Sequence, residues 1–151
     1  MSSNTQPHAP FTIIPERCVV VVNSELPPGR AGNAAAVLSL TVGQRHPQLV
    51  GAPLVDSNGV AVPGLIPIGI SVLAGTPQEL RELAQASAGT PIDVIRFPVE
   101  GQQTKNYTEF LDAIRRTRVA DLDYVGIALV GERKPISKLV GKLPLFGQAA
   151  S

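Results

Sequence analysis

The chain has 151 residues, 44% of them hydrophobic and 17% charged, with a formal net charge of +1. That is enough for one domain with a single core, and too apolar for a disordered chain. A charge so near zero excludes a general attraction to nucleic acid or anionic membrane, so any basic binding surface must be local.

The opening "MSSNTQPHAP" lacks the basic start and apolar centre of a secretion signal. Residues 1–15 are expected to form a polar tail, residues 16–151 a single domain, and the cytoplasm to be its location. No run of 18 apolar residues occurs, so no membrane span is expected.

"RCVVVVN", Arg17 to Asn23, is short, β-branched and almost continuously apolar, as a strand covered on both faces is. Its lone Cys18 excludes an internal disulfide and reads as a buried structural thiol. A turn rich in Pro and Gly follows, and a helix is expected from about Ala31, since Pro27 and Pro28 cannot lie deep within one. Val37, Leu38, Thr41 and Val42 form its apolar stripe, the "AAA" run permits close approach to a sheet, and Gly43 is the expected stop.

"HPQLVGAPLVDSNGVAVPGL" reads as a long irregular connection, with "VDSNGVAV" folding as a small hairpin over Ser57-Asn58-Gly59. "LIPIGISVLAG" is expected as a second strand with Ile66, Ile68 and Ile70 alternating, and Pro67 points to an edge or a strand start. "TPQELRELAQA" carries the strongest local signal. Thr76 is the N-cap, Pro77 the first helical residue, Glu79 closes a capping box, and Gly89 follows the end. "IDVIRFPV" is a third strand. "YTEFLDAIRRTRV" is an amphipathic helix expected to turn Tyr107, Phe110, Leu111 and Ile114 inward, with Arg115, Arg116 and Arg118 near its C-terminus. "DYVGIALVG" is a fourth strand, and "KPISKLVGKLPLF" holds a short helix and an apolar tail packed on the body. The order β–α–β–α–β–α–β implies an α/β single-domain layered fold: a mixed sheet of about four strands with helices on both faces.

Familiar sites are missing. Neither a Gly-x-Gly-x-x-Gly turn nor a Walker lysine follows the first strand, which leaves dinucleotide and P-loop binding unsupported. With one Cys and two distant His, no zinc site is expected, nor any cofactor. His8 sits in the tail and His46 in a loop before a proline, neither with an evident partner.

What remains is the strand-to-helix turn "NSELPPGRAGN". In an open α/β sheet, ligands gather beyond the carboxyl ends of strands, and the free N–H groups of a helix start attract anions. Gly29 lets the backbone approach, Arg30 can clamp a carboxylate or phosphate, and Asn33 can orient it. Asp56 is the carboxylate available for acid–base work, and Tyr107 a rim residue, if their loops bring them near. The plainer reading is that Pro and Gly shape the turn, Arg30 is solvated and Asn33 packs or caps, with Asp56 and Asn58 forming an Asx turn.

The strand ending in Glu25-Leu26, then Gly29-Arg30 and a small-residue helix start, resembles the opening of type-2 peptidyl-tRNA hydrolases. "DYVGIALVGERKPISKLVGKLPLF" resembles their last strand, helix and tail. The chain resembles more closely a relative of those enzymes, the domain-of-unknown-function 2000 family. It meets that pattern in "LPPGRAGNAAAVL", "LVGAPLVDSNG", "FP" and "GIALVG", from Arg17 to Phe146. The hydrolase motif is kept only at Arg30. Its second lysine falls on Gly32, its glutamine on Ala36 and its histidine on Ser39, and "RVADLDYVG" replaces its Asp-Ala-Gly-x-Thr element. The resemblance therefore implies the fold.

Three functions are in view. The first is a binding or catalytic pocket for a small anionic molecule at Gly29, Arg30 and Asn33, with Asp56 and Tyr107. The second is a tRNA-linked ester hydrolase or RNA-binding protein, using Arg30 and a basic C-terminal segment of Arg133, Lys134, Lys138 and Lys142. The third is a homo-oligomer, a dimer, without a site, associating through the apolar "LPLF" tail.

Overall fold

Four consecutive valines explain why the first strand lies at the centre of the structure. In the computed structural model, β1 (Arg17–Asn23) is hydrogen-bonded on both sides, and Val19 to Val22 are fully buried. Each buried valine contributes about 2 kcal/mol of hydrophobic free energy. The structure describes residues 12–148. Most of the expected polar tail, His8 included, lies outside the described residues.

The elements follow as α1 (Pro28–Arg45), β2 (Leu54–Val55), β3 (Ala61–Val62), β4 (Ser71–Gly75), α2 (Pro77–Ser87), β5 (Ile92–Pro98), α3 (Glu100–Gln103), α4 (Tyr107–Arg115), β6 (Tyr124–Gly131) and α5 (Arg133–Val140). The main sheet has the order β4-β1-β6-β5. β1 and β4 are parallel, and β6 runs antiparallel to both β1 and β5. The mixed four-stranded sheet with helices on both faces is as expected. Its three parallel strands send their carboxyl ends to one side of the molecule.

Period-two alternation divides β1 between two cores. Val20, Val22 and Cys18 face α1, which presents Ala31, Ala34, Leu38 and Val42. Val19 and Val21 face α2 and α5, with Leu80, Leu83, Ile136 and Val140. Alanine at positions 31 and 34 lets α1 lie close to the sheet. Gly126 on β6 leaves room for Leu38, since a Cβ there would stand 3.0 Å from Leu38 Cδ1 and from the carbonyl of Val21.

The capping box forms as expected: Glu79 N–H donates to Thr76 Oγ1 (3.1 Å), and Thr76 N–H donates to Glu79 Oε1 (2.9 Å). The hairpin over Ser57-Asn58-Gly59 forms as β2 and β3, with Gly59 at φ 80°. The apolar tail also packs as expected, along the β4 edge. Ala74 N–H donates to the Pro144 carbonyl, and Phe146 N–H to the Val72 carbonyl.

Five expectations need correction. α1 begins at Pro28, not near Ala31, because a proline at the first helical position has the required φ and lacks an N–H that would go unpaired anyway. It also runs past Gly43 to Arg45, where Pro47 ends it, and its buried stripe excludes Val37, which is exposed. The second strand starts at Ser71, not Leu65. Pro67 cannot donate to a ladder and Gly69 turns at φ 72°, so Ile66 and Ile70 pack on the core from a loop. On α4, Ile114 packs on the core, but Tyr107 is 71% exposed and Leu111 is exposed too. That helix packs chiefly on α3 instead of covering the sheet.

Candidate functional site

The β1–α1 turn opens where the parallel strands end. Asn23 closes the strand, and its Oδ1 accepts the Glu25 N–H (2.9 Å), which bends the chain outward. Ser24 N–H donates to the carbonyl of Gly75 at the end of β4 (2.8 Å), tying the two strand ends together. α1 leaves toward one face of the sheet and α2 toward the other, so a switch in chain direction lies between β1 and β4.

Because α1 starts at Pro28, the amides available to an anion differ from those expected. Ala31 N–H is already bonded to the Pro27 carbonyl (3.0 Å), and Pro28 has no N–H. The free donors of the first turn are Gly29 and Arg30. Among the described residues no side chain caps them, and no acidic residue lies in that turn, so the positive end of an 18-residue helix dipole is uncompensated within the helix. Arg30 is exposed, and no carboxylate among the described residues pairs with it.

Asn33 falls in the second turn of α1, not the first. Its Oδ1 accepts a hydrogen bond from Gln102 Nε2 (3.2 Å), and the same amide donates to the carbonyl of Arg30 (3.2 Å). Gln102 comes from α3, directly after β5. The contact therefore joins segments that leave two different strands, β1 and β5, at the same end of the sheet. Gln102 spends its NH2 group here and keeps its carbonyl oxygen free as an acceptor, while Asn33 keeps its NH2 group. Nothing local in "EGQQTKN" distinguishes Gln102 from Gln103. The helical turn after β5 decides which one reaches α1.

Two further residues in α3 shape this corner. Gly101 lies so close against the Phe97 ring that a side chain there would collide with it. Glu100 has a buried Oε1 with no hydrogen-bond partner among the described residues.

Among the described residues, no hydrogen bond or ion pair joins Asp56 or Tyr107 to Arg30. Asp56 lies in the β2–β3 hairpin, where its Oδ1 accepts the N–H groups of Asn58 (2.8 Å) and Val60 (2.9 Å). Its carboxylate serves its own turn. Tyr107 begins α4 and meets the Phe110 ring edge to face at 5.8 Å. It borders a shallow depression of about 230 Å³ with Gly101, Thr104, Lys105 and Asn106.

At the opposite end of the sheet the structure reveals a cluster that sequence reading passed over. His46 is buried, and its Nε2 lies 2.7 Å from Asp93 Oδ2. An ionised carboxylate only accepts, so this nitrogen carries the proton. Arg45 donates to both oxygens of the same carboxylate, at 2.7 and 3.0 Å. His46 thus has a partner after all, 47 residues away in sequence. Burial works to raise the Asp93 carboxyl, but hydrogen bonds from Arg45 and His46 and attraction to both hold it below its ordinary range. Asp93 lies in register with Val130, and Val130 with Cys18. Burial pushes the Cys18 thiol up to about 11, so it stays protonated at neutral pH, as a structural thiol does. The cluster pins the end of α1 to β5.

Among the described residues, no three His, Cys, Asp or Glu side chains come together as a metal site would require. Nor is any helix long and apolar enough to cross a membrane.

The family described as "Protein of unknown function (DUF2000)" matches residues 16–146. A solved structure, a protein of unknown function, Atu0240, from Agrobacterium tumefaciens str. C58, superposes with a TM-score of 0.76 at 22% identity. The match covers 85% of this chain and 96% of that one. At that identity the likeness is one of fold. A search of curated proteins finds no match. These comparisons lend the type-2 peptidyl-tRNA hydrolases no support.

Proposed function

The chain belongs to the DUF2000 family, whose function is unknown, and we propose that it binds a small anionic molecule at the head of α1. The observation that carries this reading is the bridge from Gln102 to Asn33 and to the Arg30 carbonyl. It brings the side-chain amides of Asn33 and Gln102 to the start of the helix that carries Arg30 and the two free backbone N–H groups, at the carboxyl end of the sheet. A carboxylate or phosphate would take the Gly29 and Arg30 amides and the Arg30 guanidinium. The Asn33 NH2 and the Gln102 carbonyl oxygen would recognise a polar group beside that charge. Asp56 Oδ1 is engaged by N–H groups of its own turn, and the proposal is one of binding.

RNA binding has no comparable observation behind it. Arg133 and Lys134 start α5 at the far end of β6, where Gly131 pairs with Arg17. They stand at the opposite end of the sheet from Arg30, so the two do not form one cationic surface.

A thermal-shift screen of inorganic phosphate and small carboxylic acids tests the reading. A ligand at a hundred times its dissociation constant stabilises a protein by about 2.7 kcal/mol. Arg30→Ala removes a charge-assisted contact of about 1.5–3 kcal/mol, so affinity should fall roughly ten- to hundredfold. Equal shifts in wild type and Arg30→Ala for every hit would exclude a role for Arg30.

A further inference from the structure

A cleft of about 180 Å³ opens beside α2, on the face of the sheet opposite α1. Alternation along β5 supplies one wall. Val94 packs on the core beneath α2, so Arg96, two residues on, stands on the same side and borders the cleft. Arg81 and Gln85, four residues apart on α2, form the facing wall with Ala88 just beyond the helix. Leu122 and Tyr124, both buried, make the floor where β6 begins.

Three side chains in this cleft keep hydrogen-bond donors without an acceptor. Arg96 is exposed and, among the described residues, makes no ion pair. Arg81 approaches Asp123 Oδ1 through Nε at 3.4 Å, beyond good hydrogen-bond distance, and both side chains are about half exposed. Its two terminal NH2 groups are left to other partners. Tyr124 is only 5% exposed and belongs to the same core as Leu80 and Ile127. Its hydroxyl has no hydrogen-bond partner among the described residues, yet it is not fully buried. A buried tyrosine hydroxyl ordinarily finds a partner, so this one is turned to whatever fills the cleft.

We propose that this cleft binds a small aromatic carboxylate. Guanidiniums on two walls can meet the two carboxylate oxygens, and the Tyr124 hydroxyl can donate to one of them. Gln85 adds an amide beside them. The apolar surface of Ala88 and Leu122 favours a ring over a hydrated inorganic ion, and a guanidinium also stacks on an aromatic face. The cleft is smaller than the roughly 300–1,000 Å³ of sites for drug-sized ligands, which limits the occupant to about one ring. The proposal does not rest on the anion site at Arg30, which lies with α1 on the other face of the sheet.

An NMR titration of the full chain with benzoate tests it, since amide shifts report both affinity and place. Benzoate should shift the signals of Arg81, Gln85, Arg96 and Tyr124, and uncharged benzamide should bind at least about tenfold more weakly. Arg96→Ala should weaken benzoate roughly ten- to hundredfold, as loss of a charge-assisted hydrogen bond does. Tyr124→Phe keeps the ring in the core and should weaken it roughly two- to tenfold, with an unchanged circular dichroism spectrum. No shifts in the cleft at millimolar benzoate would overturn the proposal. So would shifts confined to Gly29 and Arg30, which would place the carboxylate at the head of α1 instead. Equal affinity in Arg96→Ala, or for benzamide, would overturn recognition of the charge, and equal affinity in Tyr124→Phe would overturn the role of the hydroxyl.

Discussion

Replacing Asp93 with alanine should lower folding stability by about 2–3 kcal/mol, measured by urea unfolding at neutral pH. Most of the loss comes from His46, whose buried N–H would have no acceptor. Arg45 adds less, because its half-exposed guanidinium returns to water. The same carboxylate makes stability depend on pH. Its folded pKa lies below the ordinary value, so its contribution is present above the unfolded pKa of about 3.9 and is lost as pH falls through the folded value. Between about pH 5 and pH 3 the wild-type unfolding midpoint should drop more steeply than that of Asp93→Asn. Parallel pH profiles, or a loss under about 0.5 kcal/mol in Asp93→Ala, would show that the cluster does not pin α1 to β5.

Leu38→Ala should be comparably severe, at about 2–5 kcal/mol. Leu38 is fully buried at the centre of the α1–sheet contact and projects over Gly126. Truncation leaves a cavity beneath the helix that carries Arg30 and Asn33. Gly126→Ala alone should destabilise, since its Cβ would press on Leu38 and on the Val21 carbonyl, both at 3.0 Å. In the Leu38→Ala background only the carbonyl contact remains, and the new methyl partly refills the void. The double variant should then be more stable than the sum of the single losses predicts, by about 1 kcal/mol. Strict additivity would mean that the helix and strand do not meet at this pair.

What was legible in the sequence was what depends on near neighbours. The β-branched run Arg17 to Asn23 could only be a buried strand. Thr76, Pro77 and Glu79 wrote a helix start into four residues. Where the reading slipped, a choice depended on the fold. Pro27 and Pro28 read locally as barriers to a helix, yet Pro28 is the first residue of α1, and that changes which amides are free. Tyr107 and Leu111 carry the period of an inward face, but α4 flanks the sheet, so half that face meets water. His46 looked solitary because Asp93 comes beside it only when α1 is laid against β5. Gln102 had no local mark at all, because its significance comes from the helical turn after β5. Arg30 and Asn33 were legible as candidates from the turn chemistry of "PPGRAGN". The partner that supports them was not.

The proposed anion site at the head of α1 is tested most directly by a crystal of the protein soaked in phosphate. The predicted result is phosphate held by the Gly29 and Arg30 amides and the Arg30 guanidinium, at about 2.7–3.2 Å, with Asn33 and Gln102 alongside. Crystals in which this corner is open to solvent, yet phosphate stays away and Arg30 turns outward, would contradict it and leave the prolines and glycines with the turn as their only role.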